Sequence, residues 1–227
     1  MKEFFEKIWV RHTLVVLAIL ITWQLSIAIL HQNAYRKATA ILQPRIESSK
    51  IIQKGISTLS TKDSSSLQKL QNLSKIVEDR KEEKKRAFLE LYKYHFTSST
   101  MLLILSSLSV VLIFIVAQIG LNNSNPYLKT VFFVFASLTS FYAFSPLVYK
   151  HDTNISKNLS SYLSYDNLQG EIYNYALTNP GVTPTNDTLS LDKFHSRIIN
   201  EMSKINTIDF EFDYKAISIP DFGLSKK

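Results

Sequence analysis

The sequence predicts an all-α membrane protein. It would have three transmembrane helices, a cytoplasmic helical hairpin continuous with the second span, and a small helical tail ending in one β-strand. Three observations lead there. The apolar residues lie in three uncharged blocks, the connections are rich in Lys, Asn, Ser and Gln, and a basic helical pattern runs into the second block without a breaker.

The blocks are Thr13–Leu30, Met101–Ile119 and Val131–Val148, of 18, 19 and 18 residues. At the helical rise each reaches about 27–29 Å, against a hydrocarbon thickness of about 30 Å. Trp9, Tyr92, Tyr94, Tyr127 and Tyr149 supply amphipathic rings at interface depth. The first block outlasts a signal-peptide core, so it reads as a retained anchor. The chain then divides into residues 1–30 (first span), 31–97 (basic, coiled-coil-like hairpin), 98–148 (two-span hairpin) and 149–227 (tail).

Orientation follows from the cations near the spans. Eleven flank the membrane on the side of the hairpin and tail, among them Arg36, Lys37, Arg45, Lys150 and Lys157, whereas Lys2, Lys7, Arg11 and Lys129 flank the other. Residues 31–97 and 149–227 are therefore expected in the cytoplasm and the N-terminus outside. The charge is uneven: residues 31–97 carry 14 basic against 7 acidic side chains, and residues 149–227 carry 8 against 10.

Within 31–97, Pro44 is expected to kink or break a helix over 34–59. A second helix would start at a Ser65/Gln68 capping box. It carries Leu70, Leu73, Val77, Arg80, Lys84, Ala87 and Leu91 at 3-4 spacing, a heptad-like stripe interrupted by two cations. In the run Arg80–Arg86, Glu82 and Arg86 are read as an i,i+4 pair on a solvated face. Arg80, Lys81, Lys84, Lys85 and Arg86 are candidates for lipid headgroups or an anionic partner. A nucleic-acid surface is disfavoured, since aromatic residues do not interleave the cations until Tyr92.

In the tail, Ile155, Leu159, Tyr162, Leu163, Ile172, Tyr175 and Ala176 predict a helix over 153–177, stopped by Asn179-Pro180-Gly181. Ser190 would cap a short helix presenting Phe194, Ile198, Met202 and Ile205. Over 208–216, Ile208, Phe210, Phe212 and Tyr214 alternate with acidic residues, the period of a strand. It has no clear partner strand, so pairing with the short Ile217–Ile219 segment or irregular chain and addition to a strand of another subunit or partner both stand open.

Chemistry is sparse. The chain has 5 glycines and no cysteine, and it lacks phosphate-binding glycine motifs, HExxH and GxSxG. No catalytic, cofactor or metal residues are predicted, and an enzyme is not expected. The spans carry no Asp, Glu, Lys, Arg or His, which disfavours ion-coupled transport. They do carry Ser106, Ser107, Ser109, Gln118, Ala136, Ser140 and Ala143, candidates for span packing first and pore lining second. The layout from Ser65 to Leu177 (basic helix, two-span hairpin, helical tail) resembles two-span effector domains of bacterial defence systems, without a shared motif and with an extra first span.

The function expected is a self-associating assembly or effector component, pore-forming in its sharper version, whose cytoplasmic part engages a partner. The partners expected are the lipid bilayer and either further copies of the chain, as a homo-oligomer, or a protein of a membrane complex. The alternatives are an accessory subunit of a larger membrane complex and a sensor built on residues 31–97.

Overall fold

The computed structural model describes residues 2–58, 64–120, 122–178, 190–205 and 210–211, with side chains except at 2–8, 57–58 and 64–65. Those residues form five helices in the order α1 (Lys2–Thr58), α2 (Ser64–Ile119), α3 (Pro126–Val148), α4 (His151–Thr178) and α5 (Leu191–Ile205), with no strand among them. The capping-box side chain of Ser65, the Asn179–Gly181 stop and the strand positions Ile208, Phe212 and Tyr214 lie outside the described residues. Phe210 and Glu211 are described and belong to neither helix nor strand.

Pro44 does not break α1, which runs through it. Proline removes one backbone donor and crowds the preceding turn, but the helix retains its other bonds, and Ser48 Oγ donates to the Pro44 carbonyl at 2.9 Å. α2 ends at Gly120, whose φ of +82° is the left-handed conformation that glycine adopts without a Cβ penalty. Ser124 Oγ donates back to the Gly120 carbonyl at 2.8 Å. α3 then starts with Asn125 Oδ1 accepting the Tyr127 N–H at 2.9 Å and Pro126 in the first turn.

The chain forms two compact units. One comprises Met1–Tyr35, Tyr92–Asp152 and Phe212–Lys227; the other comprises Arg36–Leu91 and Thr153–Glu211. We call them the apolar unit and the helical module.

In the apolar unit α1, α2 and α3 are each long and apolar enough to cross a membrane. Met101, Leu105 and Tyr142 form a small core with Trp23, Leu30, Leu102, Phe135 and Leu138 against it. Trp23 Nε1 donates to the Tyr142 hydroxyl at 2.8 Å, and Ser109 and Thr139 hydroxyls meet at 3.1 Å. His12 Nδ1 and Thr130 Oγ1 lie 2.9 Å apart, with the His12 ring 4.7 Å from Tyr127.

The helical module is built differently. Ile56 of α1, Leu70, Leu73 and Val77 of α2, Tyr165, Leu168 and Ile172 of α4, and Phe194, Ile198 and Met202 of α5 share one core. The basic hairpin and the tail, far apart in sequence, thus bury apolar surface together. Tyr175 stacks on Phe194 with centroids 4.0 Å apart. Arg197 pairs with Glu171 at 2.5 Å. The buried face of α4 starts one residue ahead of the expected stripe, with Asn154 and Asn158 buried and Ile155 and Leu159 half-buried.

Two glycines sit inside helices of the module, and opposite effects are expected from alanine at each. Space around a Cβ at Gly170 is open, so Gly170→Ala should stabilise by about 0.5–1 kcal/mol through backbone entropy. A Cβ at Gly55 would clash with the Tyr173 ring. Gly55→Ala should cost about 1 kcal/mol net as the ring is displaced. Paired thermal melts followed by circular dichroism check the difference in sign.

Candidate functional site

The helical module buries a polar layer. On α2 the stripe Leu70, Leu73, Val77 does not continue through Arg80. It continues through Lys81, Lys84 and Phe88, which are 1%, 2% and 2% exposed. A 4-3-4 step from Val77 reaches these three positions, so helical phase alone places two lysines where core residues belong. Lys81 and Lys84, offered by the sequence to lipid headgroups or an anionic partner, are thus buried among the module's own helices.

Every donor of the Lys81 ammonium is used. It donates to Ser49 Oγ of α1 and Gln169 Oε1 of α4, and pairs with Glu78 Oε2 at 2.8 Å. Ser49 Oγ also donates to Gln169 Oε1 at 2.9 Å, and Gln169 Nε2 donates to Glu78. Asp166 Oδ1 lies 3.7 Å from Lys81, and Asp166 Oδ2 lies 3.5 Å from Arg45. Two cations thus face two carboxylates across three helices, with Ser49 and Gln169, both buried, joining them. A buried ammonium without such partners would be very costly. Paired this way it favours the one register of α1, α2 and α4 that brings the groups together.

Beside the layer lies a cavity of about 130 Å³ lined by Ser49, Lys50, Glu78, Lys81, Lys85 and Tyr162 among others. Tyr162 is 1% exposed. Burial, reinforced by Asp166, Glu82 and Glu78 and opposed by Arg45, pushes its phenol up to about 12. It stays protonated as a neutral donor throughout the physiological range. Burial likewise lowers the Lys84 ammonium, with Glu83 opposing and Arg80 assisting.

Of the remaining basic candidates, Arg80 and Lys85 meet acidic residues of their own helix. Arg80 pairs with Glu83 at 3.0 Å and Lys85 with Glu82 at 2.6 Å. Glu82 thus receives Lys85, three residues on, where the sequence reading placed Arg86; Arg86 itself is exposed. Of the span candidates, Ser106 and Ser107 donate to the Leu103 carbonyl at 3.1 and 2.8 Å, and Ser140 donates to the Ala136 carbonyl at 3.0 Å. Such back-bonding satisfies hydroxyls inside their own helix. Gln118 is exposed, Ala136 and Ala143 are half-buried, and Ser109 makes the bond to Thr139 that joins α2 to α3. Sequence reasoning missed Trp23 and Tyr142, since each is one apolar ring among many until their polar atoms are seen to meet.

At the end of the apolar unit, His95 and His151 approach edge-on with centroids 5.9 Å apart, and His95 Nε2 lies 3.4 Å from Asp152. His151 is buried and stacks on Tyr149. Burial first, then the neighbouring His95, lowers its pKa below the ordinary 6.5, with Asp152 opposing. As pH falls, the unfolded chain takes the proton first. The contribution to stability is complete above about pH 6.5 and is lost as pH falls below it. Fluorescence of Trp9 and Trp23, both in the apolar unit, should show a lower melting midpoint at pH 5 than at pH 7. His151→Gln should flatten that dependence.

No protein-family model matches the chain, and no curated protein or solved structure matches it.

Proposed function

We propose that this chain is a multi-pass membrane protein, non-enzymatic, that self-associates and presents its helical module as an assembly or effector component for a protein partner. The observation that carries the reading is exposed apolar surface in the apolar unit. In the most apolar 18-residue stretch of each candidate span, 0% of α1, 22% of α2 and 6% of α3 is buried within the chain. Leu14, Leu25, Leu103, Phe114, Phe133 and Phe141 are among the exposed side chains. Three such helices side by side far exceed the apolar patch a water-soluble monomer exposes. Lipid and neighbouring copies are the natural cover.

The excess of cations near the spans on the side of residues 31–97 and 149–227 supports a cytoplasmic location for both segments, with the N-terminus outside. The tail over 208–216 is the element offered to a partner, as an added strand.

The deciding experiment is the mass of the detergent-solubilised chain by light scattering, corrected for bound detergent. A discrete multiple of 26.0 kDa is expected. A monomer, or undefined aggregate, would overturn self-association and leave the accessory-subunit reading. Ser106→Leu with Ser140→Leu separates packing from a pore: liposome conductance that vanishes while the oligomer persists would favour the pore.

One observation favours a second reading, a membrane-bound sensor. The polar cavity at Lys81 is a convergent set of groups of the kind a small charged ligand needs. A ligand that raises the melting midpoint of the wild type and not of Lys50→Ala would support it.

A further inference from the structure

Close to the start of α4, Asn154 is 0% exposed. A buried carboxamide needs partners for both its oxygen and its nitrogen. Here one residue of the tail supplies both. Asn154 Oδ1 accepts the Glu211 backbone N–H at 2.8 Å, and Asn154 Nδ2 donates to the Glu211 carbonyl at 2.9 Å. This is the two-bond exchange that a hydrogen-bonded residue pair makes between antiparallel strands, with a side-chain amide in place of the second strand. One turn along, Lys157 pairs with the Glu211 carboxylate. The main chain is read by the amide and the acidic side chain by the cation.

We infer that Asn154 and Lys157 form a clamp on α4 for an extended acidic peptide, and that this chain's own tail at Glu211 is its occupant. The composition of the segment suits it. Asp209, Glu211 and Asp213 alternate with Phe210, Phe212 and Tyr214 in the sequence, so the chain around Glu211 is acidic. The clamp also gives both backbone groups of Glu211 a partner. A consequence rests on the partner-binding reading above: strand addition through this tail must first break both bonds to Asn154, so docking within the chain competes with the partner. The docking itself does not depend on that reading.

The chain has no native cysteine, which makes the test direct. Lys157→Cys with Glu211→Cys in the full-length protein is treated in detergent with a short bismaleimide and run on a denaturing gel. The expected product is cross-linked within one chain, and adding Asn154→Ala should lower its yield roughly tenfold, the worth of one or two hydrogen bonds. A cross-linked dimer, or no cross-link, overturns the assignment. Asn154→Ala also removes a buried side chain, so a second measurement uses surface residues only. Hydrogen exchange over 206–216 should quicken in Lys157→Glu and slow again when Glu211→Lys is added. Quickening without recovery, or no change, counts against the clamp, whatever the oligomer or membrane experiments give.

Discussion

Replacing Lys81 by methionine is expected to destabilise the helical module by about 3–5 kcal/mol, the usual cost of removing one partner from a buried ion pair. The ammonium is 1% exposed and meets Ser49, Gln169 and Glu78. Without it, Glu78 and Asp166 face one another across a site that water barely reaches. Adding Glu78→Gln and Asp166→Asn to Lys81→Met should recover more than half of the loss, because neutral side chains no longer repel. The readout separates the two units. Both tryptophans of the chain belong to the apolar unit, so circular dichroism should report an early transition while tryptophan fluorescence keeps its wild-type midpoint. If Lys81→Met melts like the wild type, the lysine is a surface cation after all and the polar layer does not exist in solution.

The attachment of α5 should fail as completely when Ile198 becomes aspartate. Ile198 is 0% exposed and Phe194 is 2% exposed, and with Met202 they form the face that joins the core of the module. A carboxylate at position 198 would enter the apolar core around Phe194 and Met202, and burying it unpaired costs several kcal/mol. The helix would release rather than bury the charge. Trypsin cleavage at Lys193, Arg197 and Lys204 should then accelerate roughly tenfold or more, as expected when a docked element opens locally. Ile199→Asp is the matched control. Ile199 is 40% exposed and its substitution should leave the cleavage rate unchanged. Equal acceleration in both variants would mean that α5 is held by something other than this face.

The contrast between Ile198 and Ile199 was legible in the sequence. Phe194, Ile198 and Met202 recur every four residues over a 15-residue helix, and a stripe so narrow can face only one way. The three apolar helices were equally legible, because length and lack of charge are properties of a segment alone. The fate of Lys81 was not. Read along α2, the run Arg80–Arg86 is a block of charge, and charge blocks beside apolar spans usually lie in solvent. The missing signal sat on other helices: Ser49 of α1 and Gln169 of α4, small polar groups in phase with Ile56 and Ile172. A polar residue in an apolar stripe is informative when facing stripes carry polar residues at the same level.

By itself, then, the sequence determined what depends on neighbours along the chain: where helices run, which segments are too apolar for water, and which face of α5 is sticky. Only the tertiary structure decided what depends on neighbours across it. It joined the basic hairpin and the tail in one core, sent Lys81 inward to Glu78 and Asp166, paired Trp23 with Tyr142, and gave Asn154 the backbone of Glu211. The physical reason is common to all four. Helical periodicity fixes the direction of a side chain relative to its own axis within a few residues. The energy of a buried polar group is fixed by the partner opposite, which residues 32, 88 or 119 positions away supply.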